Sequence, residues 1–305
     1  MTGRRATLAL GGGGARGIAH LGVIEELLRA DLTFERIVGV SIGAVVGAMF
    51  AFRPDITQVQ RQAGEFLQSR EFLRHQQHLF RAQFAPRAES AGSIATRYRR
   101  LADSLRANRM LYRAVRRSSL MPGELLEHVV DQLLPDADIA DARIPLSVIA
   151  VDLHTGRPEV FDRGPVRLAV RASASVPGIF PPVLFGGKLL CDIGGFAALA
   201  LKVAQTFQPE TLIAVDVGTD LKPLAREPSA VEILLRMNDI GAELFREHVK
   251  SRADLVILPD VGHVDWFDFS SAGEMIAAGR TAARESLAGF PPPLNWIQRL
   301  LGKGH

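Results

Sequence analysis

Short apolar runs alternate along the chain with longer segments in which apolar residues recur every three or four positions. The first pattern is typical of buried strands and the second of amphipathic helices. The predicted strands are 7–10, 36–40, 146–151, 159–162, 183–185, 188–190, 211–216 and 254–258. The predicted helices are 17–30, 42–52, 123–134, 166–173, 199–205, 231–249 and 273–287. This alternation predicts an α/β fold, a layered αβα sandwich around a mainly parallel sheet.

The chain is long enough to bury a large core in one domain. It has 305 residues, of which 47% are hydrophobic, and one cysteine. We predict a single domain over 5–290, followed by a tail over 291–305. No segment reaches the roughly 18 apolar residues of a membrane span, and the apolar run 6–10 is too short for a signal peptide. With no disulfide framework available, a cytoplasmic protein is expected.

Residues 53–120 interrupt the pattern with concentrated positive charge. This segment holds fourteen Arg, no Lys and five acidic residues, although the net charge of the whole chain is only +3. Phenylalanines and leucines are spaced among the arginines, which predicts a helical Arg-rich insertion. It is either a cap that contacts anionic lipid head groups or an insertion whose arginines face water. No nucleic-acid-binding motif accompanies the charge, so nucleic acid is not expected as a partner.

The tail 291–305 begins with three prolines and continues as a short amphipathic pattern. Its apolar side is formed by Trp296, Ile297, Leu300 and Leu301, with Arg299 elsewhere. Such a helix either lies in a membrane interface or docks on the core. The first alternative, together with the basic insertion, predicts peripheral contact with an anionic membrane.

The sequence GVSIG at 39–43 joins a predicted strand to a predicted helix. A Gly-x-Ser-x-Gly sequence in this context is typical of a nucleophile elbow, a turn so tight that the serine hydroxyl stands exposed above the sheet. Gly39 and Gly43 permit the turn, and the N-terminus of the following helix stabilises developing negative charge. Ser41 is therefore the candidate nucleophile.

A second glycine-rich sequence, GGGGARG at 11–17, follows the first predicted strand. Backbone N–H groups of such a loop can converge on an anion, as an oxyanion hole requires. A dinucleotide site is the alternative, because Gly12, Gly14 and Gly17 fit the Gly-x-Gly-x-x-Gly pattern. That site needs an acidic residue at the end of the next strand, where this chain has Ser41. The oxyanion hole is therefore favoured.

Acyl transfer through a serine also needs a base. Asp192 follows a predicted hairpin and precedes glycines, which is a suitable place for one. His263, in the loop after the last predicted strand, would suit the Ser-Asp-His triad of an α/β-hydrolase. Those enzymes have several strands before the nucleophile, whereas Ser41 comes early in this chain, so Asp192 is favoured. His20, in the first helix, is expected to pack inside.

These motifs, in this order, resemble those of the patatin-like phospholipase family, as does the sequence ASASVPGIFPP at 172–182. The resemblance covers about 5–290. It implies a serine acyl hydrolase, a phospholipase or lipid esterase, in which Asp192 accepts the proton of Ser41 directly. It also implies that neither a metal nor a cofactor takes part, and that the substrate is a phospholipid or another acyl ester.

The resemblance extends to individual residues of the loops. It implies that the oxyanion is bound by N–H groups of Gly13, Gly14 and Ala15. The residues that support the motifs are Gly12, Arg16, Gly17, Gly39, Gly43 and Gly194. Arg16 either fixes the loop or meets a lipid phosphate, and 177–182 is expected to shape the wall of an acyl pocket.

The chain departs from the family pattern directly after Asp192. Ile193 occupies the position of a glycine in the family's Asp-Gly-Gly motif, and a β-branched residue disfavours the positive φ that glycine adopts. We therefore expect a loop of different shape. A second class of function stays open on this ground, a weakly catalytic or non-catalytic lipid-binding protein.

Overall fold

A computed structural model describes residues 4–74, 119, 121–193, 199–218 and 230–290. Over these residues the chain forms an eight-stranded sheet flanked by helices. The strands are β1 (Arg4–Leu10), β2 (Leu32–Val40), β3 (Leu146–Asp152), β4 (Arg157–Phe161), β5 (Val183–Phe185), β6 (Lys188–Cys191), β7 (Leu212–Val215) and β8 (Leu255–Ile257). The helices are α1 (Ala19–Arg29), α2 (Ile42–Phe52), α3 (Ile56–Leu67), α4 (Gly123–Leu133), α5 (Val166–Ala174), α6 (Leu199–Gln205), α7 (Ala230–Lys250) and α8 (Ala272–Ala288).

The centre of the sheet is parallel, as predicted. Its strands lie in the order β5-β6-β3-β2-β1-β7-β8, and β4 pairs with β3 outside this path. The pairs among β3, β2, β1, β7 and β8 are parallel, whereas β4 and β6 pair with β3 antiparallel and β5 pairs with β6 antiparallel. The carboxyl ends of β1 and β2 therefore meet at one edge of the sheet, which is where open α/β sheets place their sites.

Helices cover both faces of the sheet. Alternate residues of β1 show this, because Leu8 and Leu10 belong to one buried cluster and Ala9 to another. The first cluster contains buried side chains of α1, α2, α5 and α8, and the second contains those of α6. The period of two along a strand thus separates two helical layers, which confirms the predicted αβα sandwich.

Helices α1 and α8 cross in close contact. A Cβ atom on Gly22 or on Gly279 would collide with the backbone of the opposite helix. Beside the crossing, Arg284 Nη2 lies 2.9 Å from Glu26 Oε1. The hydrogen bond from Arg284 helps to hold the pKa of the Glu26 carboxyl below its usual range. The close contact at Gly22 and Gly279 and the Arg284–Glu26 ion pair together fix α1 against α8.

The predicted elements are confirmed with small shifts at their ends. β1 and β2 begin earlier than predicted, and the predicted helix 17–30 starts as a 3₁₀ turn, Gly14–Ile18, before α1. Of the predicted insertion 53–120, residues 53–74 and 119 are described. They include α3, whose N-cap Asp55 accepts from the Gln58 N–H at 3.1 Å. The rest of that insertion and the tail 291–305 lie outside the described residues. Within the described part of the chain, no helix is both long and apolar enough to cross a bilayer.

Candidate active site

Ser41 lies on a strained turn between β2 and α2. Its backbone has φ 54° and ψ −125°, a conformation that non-glycine residues rarely adopt. The turn is crowded on both sides. A Cβ atom on Gly39 would collide with the backbone of Gly43 and Ala44, and one on Gly43 would collide with the Leu10 carbonyl. The two glycines of GVSIG are therefore required sterically, and strain of this kind is concentrated at functional sites.

Ser173 anchors the backbone of the turn. Its hydroxyl accepts a hydrogen bond of 2.9 Å from the Ser41 N–H and donates one of 2.6 Å to the Ile149 carbonyl. Ser173 is fully buried at the end of α5. The ASASVP sequence that contains it was recognisable as a motif, but nothing in the sequence indicated that this hydroxyl holds the nucleophile in place.

The glycine-rich loop 11–17 is held by residues from distant parts of the chain. The Gly11 N–H donates to the Val215 carbonyl at 3.0 Å, and a Cβ atom on Gly13 would collide with Val217. Gly14 has φ 60°, and a side chain there would collide with the Trp266 carbonyl. Trp266 was not predicted as a site residue, because it lies in an aperiodic polar segment with no recognised motif.

Ala15 differs from its predicted role. Its N–H donates a hydrogen bond of 2.7 Å to the Trp266 carbonyl. This hydrogen is directed at a protein carbonyl that holds the loop, which corrects the expectation that Ala15 contributes to the oxyanion hole. Arg16 Nε donates to the Gly13 carbonyl at 3.0 Å. This contact corresponds to the first of the two predicted roles of Arg16, fixing the loop.

The two loops are adjacent in space. A Cβ atom on Gly17 would collide with Ile42, directly after the nucleophile, and one on Gly43 would collide with the Leu10 and Gly11 carbonyls. Gly14 and Ser41 line the same cavity. The packing of α2 against the 3₁₀ turn thus brings the candidate nucleophile next to the glycine-rich loop.

Asp192 is placed at the level of Ser41 by strand register. In the antiparallel pair β3–β6, Cys191 is opposite Val151, so the next residue, Asp192, is level with Ala150. In the parallel pair β2–β3, Val40 is opposite Ile149, so the next residue, Ser41, is also level with Ala150. Asp192 is 3% exposed. Strand β3 therefore lies between the two candidate catalytic residues at the same edge of the sheet.

The end of α5 connects these two residues. Ser173 holds the Ser41 N–H, and two residues later the Ser175 carbonyl accepts a hydrogen bond of 2.9 Å from the Asp192 N–H.

Burial, with a smaller effect of the Asp192 charge, raises the pKa of the Cys191 thiol to about 11. The cysteine therefore stays protonated at neutral pH and is not a competing nucleophile.

Ile193 keeps an ordinary backbone conformation. In the described chain, the non-glycine residues with positive φ are Asp31, Ser41 and Gln208. The Ile193 side chain packs against the buried cluster on the α6 side of the sheet. An apolar residue thus replaces the family's glycine by using a conformation that isoleucine adopts easily. Gly194, a predicted supporting residue, lies outside the described residues.

The two histidines considered as bases have different environments. His263 is exposed. His20 is fully buried, and its Nε2 lies 2.8 Å from the Gly11 carbonyl, while its Nδ1 has no hydrogen-bond partner. Burial lowers the pKa of His20 to about 4, despite the opposing effects of the Gly11 carbonyl and Asp216. A neutral His20 therefore donates to the Gly11 carbonyl of the glycine-rich loop from inside the protein. This agrees with the expectation that His20 packs inside.

His20 predicts a specific pH dependence of stability. Its ordinary pKa is 6.5 and its folded pKa about 4, so the unfolded chain binds the proton more tightly and stability falls as the pH is lowered through this window. The shift corresponds to about 3 kcal/mol. We expect urea denaturation to show a fall in unfolding free energy that is about 3 kcal/mol smaller in His20→Gln, whose amide keeps a donor for Gly11. If the unfolding free energy falls equally with pH in the two proteins, the assignment is contradicted, since the carboxylates titrate in both.

An apolar cavity lies beside Ser41. It contains about 1060 Å³ of empty space, including the part that is open to solvent. Its walls are side chains of α2, α3 and α4, with Trp266 beside the glycine-rich loop and Phe180 from the predicted wall segment 177–182. A pocket with this apolar lining suits an apolar ligand such as an acyl chain.

The chain forms an α/β sandwich in which a strained serine turn lies beside a glycine-rich loop. These features define the class of α/β proteins that carry a nucleophile elbow. Within this class, the sequence profile of the patatin-like phospholipase family matches residues 8–201. This match covers more than half of the chain, which therefore belongs to the patatin-like phospholipase family.

Individual relatives are more distant. An uncharacterized NTE family protein of Mycobacterium tuberculosis is 28% identical over 315 residues, which cover 95% of this chain and 48% of the relative. Lysophospholipase nte1 of Aspergillus fumigatus is 29% identical over 219 residues, which cover 72% of this chain and 12% of that protein. The chain thus spans about half or less of the length of these relatives. The crystal structure of VipD from Legionella pneumophila matches with a TM-score of 0.45 and 15% identity, covering 95% of this chain and 67% of VipD.

Proposed function

We propose that this protein hydrolyses carboxylic esters of acyl lipids, as a phospholipase A or lysophospholipase. The observation that carries the proposal is Ser41, a serine on a strained turn that lines an apolar cavity together with Gly14. Family membership supports the same reaction class. The fungal relative is named a lysophospholipase, which supports an acyl lipid as the substrate.

The proposed reaction passes through an acyl-enzyme. Asp192 takes the proton of the Ser41 hydroxyl while Ser41 Oγ bonds to the ester carbonyl carbon. The tetrahedral intermediate then collapses, and the bond to the alcohol breaks as that oxygen receives the proton from Asp192. In the second half, Asp192 takes a proton from water, the water oxygen attacks the acyl carbon, and the bond to Ser41 Oγ breaks as Oγ regains a proton.

The proposed oxyanion donors are the N–H groups of Gly13 and Gly14. Arg16 supports this role for Gly14 through the Gly13 carbonyl that it binds. Because a trans peptide is planar, the Gly14 N–H points to the side opposite that carbonyl. The Arg16 contact therefore fixes the direction of the proposed donor, and preorganised donors of this kind account for a large share of the rate in acyl transfer.

An alkyl fluorophosphonate probe tests the proposal directly, since it phosphonylates only an activated serine. We expect labelling of the native protein at Ser41, no labelling of Ser41→Ala, and fatty acid release from lysophospholipid by the native protein alone. Thermal unfolding of both proteins controls for the fold. If the folded native protein neither reacts with the probe nor releases fatty acid, the hydrolase proposal is overturned and lipid binding in the same cavity becomes the better explanation.

A further inference from the structure

The cavity at Ser41 has a direction, which is given by α2. This helix begins directly after Ser41, and the residues through which it lines the cavity continue along one face as far as Met49. Eight residues of helix rise about 12 Å. Three bonds of an extended chain span roughly 3.3–3.6 Å, so this distance corresponds to about ten bonds of an extended acyl chain.

Helix α4 runs in the same direction as α2 along the cavity. Its start is next to the segment 177–182, because the Met121 N–H donates to the Ile179 carbonyl at 2.8 Å and a Cβ atom on Gly123 would lie 3.0 Å from Pro181. Phe180 of that segment lines the cavity together with Ser41. The far end of α4, at Leu133, therefore belongs to the inner end of the cavity, where Leu133 and Met49 both line it.

Helix α3 closes the inner end and then returns toward the opening. The side-chain amide of Gln62 donates to the carbonyls of Gln132 and Leu133 at 3.1 and 3.3 Å, which joins α3 to the last turn of α4. Four residues after Gln62, the ring of Phe66 lies 6.4 Å from that of His128 in the middle of α4, so α3 runs antiparallel to α4. Ala63 directly follows Gln62 and therefore lies beside the last turn of α4, near the inner end of the cavity.

Ala63 is much smaller than the other residues that α3 contributes to the cavity, Phe66 and Leu67. It is 6% exposed, and Met49 is 4% exposed. A chain that starts at Ser41 reaches both residues near the inner end of the cavity. The small side chain of Ala63 leaves space there, and the large side chain of Met49 ends the cavity.

We propose that Ala63 and Met49 determine the length of acyl chain that this protein accepts, with Ala63 keeping the inner end of the cavity accessible and Met49 forming its floor. The inference rests on the proposed function, because it assumes that the acyl carbon is held at Ser41. Each methylene that the cavity buries should raise kcat/KM about fourfold. We expect kcat/KM to rise with chain length until about ten chain bonds are buried, and then to level off.

The test is hydrolysis of p-nitrophenyl esters from butyryl to palmitoyl by the native protein and three variants. In Ala63→Phe the plateau should come about three chain bonds earlier, so that the ratio of decanoyl to butyryl kcat/KM falls by about tenfold or more, since about two methylenes of the decanoyl chain lose a fourfold contribution each. In Met49→Ala the plateau should move to chains that are two or three carbons longer. Val59→Ala is the matched control, because Val59 is fully buried on α3 and does not line the cavity.

The butyryl ester separates the possible failures. If the variants hydrolyse it at native rates and the plateau stays where it was, the length assignment is overturned and the hydrolase proposal stands. If the native protein hydrolyses no ester, the hydrolase proposal fails, and binding of fatty acids of graded length to the same variants then decides the length assignment. If Ala63→Phe loses butyryl hydrolysis through misfolding, the comparison of Met49→Ala with Val59→Ala decides it.

Discussion

Replacing Asp192 with Asn is expected to lower kcat for ester hydrolysis about a hundredfold or more while leaving the fold intact. The amide has nearly the shape of the carboxylate but cannot accept the Ser41 proton, and loss of a general base typically has an effect of this size. The Asp192 N–H would still donate to the Ser175 carbonyl, because that contact belongs to the backbone. Steady-state kinetics on a lysophospholipid, with urea denaturation of both proteins, makes the measurement.

His263→Ala is the control for the alternative base. His263 is exposed and does not line the cavity at Ser41, so its replacement should leave kcat within about twofold. Activity of Asp192→Asn within severalfold of native would show that Asp192 is not the base. A loss in His263→Ala as large as that in Ser41→Ala would establish the triad instead.

Replacing Ser173 with Ala should impair both stability and catalysis. The change removes the acceptor of the Ser41 N–H and leaves that buried group unpaired, which costs about 1–3 kcal/mol of unfolding free energy. It also frees the strained turn to relax, and a displacement of a reacting group by about 1 Å can lower the rate roughly a hundredfold. The expected signature is a fall in kcat that persists at temperatures where the variant is fully folded.

Ser175→Ala is the matched control for this experiment. Ser175 is equally buried and lies two residues further along, but its hydroxyl donates to the Arg171 carbonyl of its own helix at 2.7 Å. Its carbonyl, which holds Asp192, is unaffected by the substitution. If Ser173→Ala and Ser175→Ala lose the same small amount of activity, the hydroxyl of Ser173 has no special role in positioning the nucleophile.

Most of the fold could be predicted from the sequence because its signals are local. Strands such as β1 and β7 are short apolar runs buried on both faces, and α2 begins and ends at the predicted residues because Gly43 and Arg53-Pro54 bound its apolar run. Ser41 was recognisable for the same reason, since the strand, turn and helix that make an elbow are contiguous.

The remaining features depend on contacts between distant segments. The hydrogen bond of Ser173 to Ser41 joins residues 132 positions apart, and no periodicity encodes such a pair. Ala15 was assigned as an oxyanion donor because the sequence does not reveal that Trp266 would accept from its N–H. Helix α3 carries a regular apolar pattern, but its part in the cavity follows from the contacts of Gln62 and Phe66 with α4, which are tertiary features.

The supports of the glycine-rich loop give the C-terminal third of the chain an importance that motif comparison does not reveal. Val215, Val217 and Trp266, which contact Gly11, Gly13 and Ala15, all lie beyond residue 201, where the family profile ends. A shortened protein that stopped there would retain Ser41, Asp192 and the whole glycine-rich sequence, yet the loop would lack the partners that define its shape. The smallest part of the chain that keeps these supports of the loop therefore extends at least to Trp266.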